Sequence, residues 1–301
     1  MLKNAIEPSG VEMKPAGDSG VVAKYERLKG ILGAMESVLV AFSGGVDSTF
    51  LLKVAVDVLG RNAAAITATS PTYPEKEFRE ACALASLIGA EHIVVESNEL
   101  EIANFSENTE KRCYYCKSEL FGIAFERARA MGFKYVADGS NPDDLSDFRP
   151  GRIAAMELGV RSPLLEAGLA KSEIRQLSKE LDLPTWNKPS FACLSSRFPY
   201  GTSITSERLE KVRKGEDIIR AAGFGQFRLR YHDDFTARIE LEPEAMNLML
   251  GREGNEIRRK MVEGLKKAGF IYVTLDLEGY RSGSMNEVLS PGRKSGAVTP
   301  G

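Results

Sequence analysis

The chain has 301 residues, 40 of them basic and 42 acidic, with 43% hydrophobic and 27% charged, ordinary proportions for a globular protein long enough to bury a core without staples. The near-zero balance argues against stable attachment to nucleic acid. No apolar run reaches the ~18 residues of a membrane span, and the first residues lack the apolar core of a secretory signal, so a cytoplasmic enzyme is the default.

Residues 1–20 are rich in Gly, Pro, Ser and charge without periodicity, and read as a tail. Residues 37–42 (SVLVAF) form a short apolar run, as expected of a strand covered on both faces. A glycine turn and a helical pattern from Asp47 to about Leu59 follow. A second strand is expected at 63–70, a helix opening near Pro74, and a third strand at 92–97. A helix from Arg112 to Met131 leads to a fourth strand at 133–139, and RSPLLE (161–166) reads as a fifth before a helix from Lys171 to Leu181. This alternation predicts an α/β fold with a doubly wound parallel sheet.

Near Pro184 the texture changes. Residues 184–203 hold three prolines and no period, which predicts a long functional loop. A helix with Ser206 as N-cap, two alternating strands (226–232 and 236–242), two helices and a strand at 270–277 then describe a smaller α+β domain. The expected division is a tail at 1–20, a first domain at 21–200, a second at 201–283 and a tail at 284–301. From residue 201 on there are 17 basic and 15 acidic residues, so the second part is no basic nucleic-acid arm.

The strongest local signal is Ser43-Gly44-Gly45-Val46-Asp47-Ser48, between the first strand and the first predicted helix. A loop entering a helix there exposes unpaired N–H groups at the positive end of the helix dipole, and glycines let phosphate approach. Asp47 repels a bare anion, so its presence points to a bridging Mg²⁺. The loop is neither GxxxxGK[ST] nor GxGxxG. SGGVDS instead resembles the pyrophosphatase loop of the N-type ATP pyrophosphatases (a HUP-like fold), which cleave ATP between the α- and β-phosphates and adenylate an oxygen of their substrate. Alone, the six residues also suit an ordinary glycine turn. The stretch after the fourth strand, with Asp138, Gly139, Ser140, Asn141, Asp143 and Asp144, resembles that superfamily's GxNxDD segment near the nucleotide; Gly, Asn and Asp also simply make turns. By the same resemblance the backbone at Ala68, Thr69 and Ser70 contacts adenine.

Four cysteines in 301 residues are too sparse for a disulfide scaffold, and two histidines exclude a His-rich metal site. Cys113 and Cys116 lie one turn apart on one helical face. The helix start, Lys111, Arg112 and Lys117 should favour thiolate. A redox pair, half of a metal or cluster site, and two incidental cysteines all remain open. Cys193, in the long loop near Arg197, reads as a reactive or ligating thiol, and Cys82 as a small core residue. Three thiolates do not close a zinc site unless another ligand joins them. They can hold a [4Fe–4S] cluster with one iron open.

SGGVDS, KRCYYCKSELF, ADGSNPDD, KPSFACLSSRFPYG and RLRYHDDFTARIE together resemble the LarE family over about residues 21–283. The resemblance implies an ATP-dependent sulfurtransferase acting on pyridinium-3,5-biscarboxylic acid mononucleotide, on the route to the nickel-pincer nucleotide cofactor of lactate racemase. One branch of the family surrenders the sulfur of a loop cysteine, which becomes dehydroalanine; the other uses three cysteines, a [4Fe–4S] cluster and a sulfide donor. The pattern Cys113, Cys116, Cys193 implies the cluster branch. ATP and Mg²⁺ are the other expected cofactors, and a homo-oligomer is expected.

A carboxylate oxygen is a poor leaving group until adenylation turns it into AMP; Mg²⁺ at Asp47 would neutralise the departing pyrophosphate. Arg228 and Arg230 share one strand face and suit phosphate, or are merely solvated. Arg197 is expected to orient the carboxylate, with Ser196 beside it, and Glu216 to line the site or lie on the surface. The rival readings are an RNA-thiolating or amide-forming ATP pyrophosphatase, and a non-enzymatic nucleotide or iron–sulfur binding module.

Overall fold

A computed structural model describes residues 19–146, 150–189, 192–281 and 283–289. Residues 1–18 and 290–301 of the tails expected at 1–20 and 284–301, and Ser190 and Phe191 of the long loop, lie outside the described residues.

The first described element is α1 (Ser19–Met35), a helix the sequence reading did not identify, which includes Ser19 and Gly20 of the expected tail. Its buried Tyr25, Leu28, Leu32 and Met35 recur at helical spacing and form one apolar face. Then follow β1 (Val38–Ala41), α2 (Val46–Leu59), β2 (Ala63–Thr69), α3 (Glu75–Ile88), β3 (Glu91–Glu96), the short α4 (Ala103–Ser106), α5 (Arg112–Met131) and β4 (Tyr135–Ala137). The four strands make one parallel sheet in the order β3-β2-β1-β4, with Val40 opposite Ala65 on one side and Ala137 on the other.

Both faces of the sheet are covered. Val38 and Val40 join the core beneath α1, α2 and α3, while Leu39, Ala64 and Ile66 face Phe121 and Ala124 of α5. Each such side chain contributes about 1.5–3 kcal/mol when fully buried. The chain runs from β1 outward to β2 and β3, then returns to place β4 on the opposite side of β1. That reversal opens a crevice beyond the carboxyl ends of β1 and β4, where ligands of such sheets bind.

The fifth strand expected at 161–166 is not formed. Arg161 makes an isolated bridge to Ala137, and Pro163 then starts α7 (Pro163–Ala167). Proline has no N–H for a ladder, and its fixed φ suits the first helical turn. Two further helices flank this region, α6 (Pro150–Glu157) and α8 (Lys171–Glu180).

The second unit contains α9 (Ser206–Ala221), β5 (Phe227–Tyr231), β6 (Thr236–Leu241), α10 (Pro243–Leu250), α11 (Asn255–Lys267) and β7 (Tyr272–Leu275). Its sheet runs β5-β6-β7, antiparallel then parallel. The N-cap of α9 is Thr205, whose hydroxyl accepts from the Arg208 N–H at 3.2 Å, rather than Ser206. The core of this unit takes in Leu194 and Phe198 from the long loop, Ile204 just after it, and Phe105 from the first half. Within residues 284–289, expected in a tail, Ser284 and Leu289 are buried. Among the described residues no helix is long and apolar enough to cross a membrane.

Candidate active site

The loop between β1 and α2 is shaped by its glycines. Gly44 has φ +64°, and a Cβ there would lie 3.1 Å from the Ala81 Cβ of α3, so a side chain meets both strain and a clash. Gly45 caps α2 in extended conformation without a side-chain cap bond, which leaves the first helical N–H groups available to an anion. Ser43, exposed, and Ser48, buried, bring their hydroxyls to 3.2 Å. Val46 points into the core.

Asp47 sits in the first turn of α2. Its Oδ2 accepts a hydrogen bond from Lys171 Nζ, at the start of α8. Its Oδ1 is buried and has no partner. Burial raises the Asp47 pKa above the ordinary carboxylate value; Lys171 opposes that and Asp144 adds to it. Sequence reading missed Lys171, which lies 124 positions away, and no local spacing signals it.

The loop after β4 packs against this helix start. A Cβ on Gly139 would fall 3.0 Å from the Ser48 nitrogen and 3.2 Å from the Asp47 carbonyl carbon. Buried Asn141 organises the turn: its Oδ1 accepts from the Asp143 N–H at 3.0 Å and its own N–H donates to Asp144 at 3.0 Å. Asp143 in turn accepts the Lys171 backbone N–H at 2.6 Å. Ala68 is half-buried near the end of β2, opposite Val95 of β3. The uncapped helix start, the glycine cradle and the orphaned carboxylate oxygen fit a triphosphate with Mg²⁺.

Two hydrogen bonds carry side chains to the loop's own carbonyls. Tyr73 Oη donates to the Ser43 carbonyl at 3.0 Å and Lys188 Nζ to the Gly44 carbonyl at 3.3 Å. Lys188 also binds Glu77 at 2.8 Å and Glu80 at 2.9 Å. It starts the KPSFACLSSR stretch, where sequence reading gave it no role.

Cys113 and Cys116 stand on the first turns of α5, Cys113 exposed and Cys116 half-buried. Cys193 is half-buried and opens the short 3-10 turn Leu194–Arg197. Burial opposes the thiolate expected from the helix start and its basic neighbours. Burial pushes the Cys116 thiol far above its ordinary value despite Lys117, and the protein packed around the Cys113 sulfur raises that thiol despite Arg112. Cys193 raises both, so the three sulfurs share one local field. None is in a disulfide. Among the described residues no group of three His, Cys, Asp or Glu side chains is gathered to hold a metal ion. The donor set fits a thiolate-ligated cluster in kind.

Cys116 has a neighbour that sequence reading missed. Its Sγ lies 3.7 Å from Oε1 of buried Glu99, which also accepts from Thr72 at 3.3 Å. The other Glu99 oxygen is buried without a partner. Cys82 is half-buried on α3.

The turn bearing Cys193 is held from both units. The Leu194 N–H donates to the Thr72 carbonyl at 3.2 Å, just beyond β2. Arg197, 1% exposed, donates through Nη1 to the carbonyls of Ala192 (2.7 Å) and Cys193 (3.1 Å) and to the Ser196 hydroxyl (2.8 Å). Its Nε and Nη2 bind Glu216 at 2.7 and 3.2 Å. Glu216 is therefore buried, not on the surface; Arg197 holds its carboxyl below the ordinary value against the cost of burial. Arg197 thus holds the turn, with Glu216 as a carboxylate partner.

Arg228 and Arg230 are buried, which excludes a solvated strand face. Arg230 binds Glu240 bidentately at 2.9 and 2.7 Å, the Ser196 carbonyl at 3.0 Å and the Ser284 hydroxyl at 2.9 Å. Arg228 donates to the Phe227 carbonyl at 2.7 Å and lies over the Tyr280 ring at 5.1 Å. Burial, then the nearby Arg197, lowers Arg228 to about 10. Arg197, Arg228 and Arg230 thus stand near the two buried carboxylates Glu216 and Glu240.

Residues 28–136 match the NAD synthase family. Across 273 residues the chain is 48% identical to an uncharacterized protein of Synechocystis sp., covering 89% of this chain and 98% of that one. It is 40% identical over 271 residues to the pyridinium-3,5-bisthiocarboxylic acid mononucleotide synthase of Lactiplantibacillus plantarum, covering 90% of this chain and 96% of that protein. A weaker similarity, 28% over 223 residues, reaches the glutamine-hydrolyzing GMP synthase of Aeropyrum pernix, covering 66% of this chain and 43% of that one. With a near-full-length relative of that identity and an ATP pyrophosphatase-type sheet domain, the chain belongs to the LarE family of ATP-dependent sulfurtransferases.

Proposed function

We propose that the protein adenylates the carboxylates of pyridinium-3,5-biscarboxylic acid mononucleotide and converts them to thiocarboxylates, yielding the sulfur-bearing precursor of a nickel-pincer nucleotide. The observation that carries this reading is the bond from the Leu194 N–H to the Thr72 carbonyl. It supports a sulfur-bearing turn at the same sheet edge as the phosphate loop.

The roles follow from the chemistry. The N–H groups at the start of α2, with Ser43, Gly44, Gly45, Val46 and Ser48, receive the polyphosphate; Gly139 and Asn141 shape the opposite wall, and Ala68 borders adenine. Mg²⁺, when bound at Asp47, screens the charge of the departing pyrophosphate. The substrate carboxylate attacks the α-phosphorus of ATP, pyrophosphate leaves, and an acyl adenylate forms. A sulfur nucleophile then attacks the acyl carbon and AMP departs with the bonding pair. Ser196, Arg197 and Glu216 hold the turn that presents Cys193, and Arg228 with Arg230 attracts the substrate's phosphate.

For the sulfur source we favour the three-cysteine route, with Cys113, Cys116 and Cys193 as ligands of a [4Fe–4S] cluster. When bound, the cluster supplies transferable sulfide that an external donor replenishes.

Anaerobically purified protein should be brown, with about four irons per chain, and should release pyrophosphate on mixing ATP with the mononucleotide. Mass measurement after turnover tests the sulfur source. Loss of one sulfur and two hydrogens at Cys193 would establish sacrifice of that residue and overturn the cluster route. Pyrophosphate release that depends on RNA or on ammonia, and not on the mononucleotide, would overturn the substrate.

A further inference from the structure

We infer that Tyr73, in the turn between β2 and α3, is a positioning residue that ties the phosphate loop to the turn bearing Cys193, so that an adenylate made at one stands within reach of sulfur from the other. This role rests on the function proposed above and deepens it at the sulfur-transfer step.

The turn of residues 70–73 reaches both halves of the chemistry. The Tyr73 hydroxyl donates to the Ser43 carbonyl at 3.0 Å, in the phosphate loop. One residue back, the Thr72 carbonyl accepts the Leu194 N–H at 3.2 Å, beside Cys193. The Thr72 hydroxyl donates at 3.3 Å to Glu99, whose Oε1 lies 3.7 Å from the Cys116 sulfur. A single peptide bond therefore joins the residue that holds the phosphate loop to the residue that holds the sulfur-bearing turn.

This turn is stiff enough to transmit a position. The Tyr73 N–H donates to the Ser70 carbonyl at 3.1 Å, and the Ser70 and Thr72 hydroxyls lie 3.1 Å apart. Thr72 is buried. Pro74 follows with φ −62° and caps α3, and a proline there confines the residue before it to extended backbone. Burial raises the Tyr73 phenol above its ordinary value, and Glu77 adds to this, so the hydroxyl keeps its proton and remains a donor.

The phosphate loop has other supports. Lys188 holds the Gly44 carbonyl, the Ser43 and Ser48 hydroxyls meet, and Gly44 lies against Ala81 of α3. Loss of the Tyr73 bond should therefore spare adenylation more than it spares the spacing between loop and turn. Reacting atoms must be brought to about 3–3.5 Å, and a misplacement of about 1 Å costs ~10²-fold. An adenylate out of reach of sulfur meets water instead. The water oxygen adds to the acyl carbon, its protons pass to solvent, AMP leaves with the bonding pair, and the starting carboxylate returns.

A single turnover reads both steps. The full-length protein, loaded anaerobically with inorganic sulfide and in excess over the mononucleotide, is mixed with ATP and Mg²⁺. Pyrophosphate reports adenylation and thiocarboxylate reports sulfur transfer; in wild type the two should form in step. Tyr73→Phe should lower the thiocarboxylate formed per pyrophosphate about threefold to tenfold, the rate equivalent of one neutral hydrogen bond, with iron content and far-UV circular dichroism as in wild type. A Tyr73 that only supported the fold would slow both steps alike and leave the ratio unmoved. A wild-type ratio in Tyr73→Phe would thus overturn the inference and leave the function standing. Wild type that released pyrophosphate without thiocarboxylate, or formed neither, would overturn the proposed function and the inference with it.

Discussion

Asp47 carries two oxygens in unlike surroundings, one bound by Lys171 and one buried without a partner. Removing the carboxylate should therefore cost metal-assisted chemistry more than fold. Asp47→Ala is expected to abolish pyrophosphate release while leaving iron content and far-UV circular dichroism unchanged. Glu99 shows the opposite balance. Burial raises its pKa above the ordinary 4.5, outweighing its hydrogen bonds from Ser70 and Thr72. A raised carboxyl contributes stability below its unfolded pKa and loses it as pH rises through the folded one. Glu99→Gln should thus raise the melting temperature at neutral pH, and the gain should vanish below pH 4.5. A gain independent of pH would mean that shape, not charge, is responsible. Neither Lys171 nor Glu99 was legible in the sequence, because each meets its partner only through the sheet's crossovers. SGGVDS was legible because its glycines, hydroxyls and carboxylate lie within six consecutive residues.

At the scale of elements, the start of α2 depends on close approach. Gly139→Ala would set a methyl 3.0 Å from the Ser48 nitrogen, one of the N–H positions facing the crevice. The neighbour is backbone and does not yield cheaply. Pyrophosphate release should fall at least tenfold, with a loss of stability of about 1–3 kcal/mol, the usual cost of overpacking, read by denaturant titration. A variant with full activity would place the phosphate elsewhere. Helices and strands of the sheet were readable from period and length. The strand expected at 161–166 failed because its apolar run hides a proline at the position where a helix begins. α1 was passed over because its apolar face lies in a stretch flanked by glycines and charge. The strand pair β5 and β6 was read correctly as strands, but alternation could not show that both of the β5 arginines are buried. Their partners come from β6, from the Cys193 turn and from the segment beyond β7.

Across the whole molecule, the boundary expected at residue 200 is not where packing divides. Leu194, Phe198 and Ile204 share a core with Leu229 and Ile239, and Phe105 joins them from the first half. A chain ending at residue 200 would expose Phe105, Leu194 and Phe198. It should bind a hydrophobic dye and lose cooperative unfolding, whereas two independent domains would leave the first part sharply folded. Breaking the Arg197–Glu216 pair should act across the same junction. Arg197→Met should cost about 3–5 kcal/mol, since it strands a buried carboxylate, while the double change Arg197→Met with Glu216→Leu should recover much of it.

The turn of residues 192–198 owes little of its shape to its own sequence. Thr72 fastens one end, Arg230 grips the Ser196 carbonyl, and Arg197 is aimed by Glu216 of α9. A cysteine held this way is a property of two sheets and a helix at once. Grafting the heptapeptide onto another ATP pyrophosphatase would carry over the thiol but not its address. The converse is an expectation: exchange of the cysteine for serine should leave the turn's backbone in place, because none of these bonds uses the thiol.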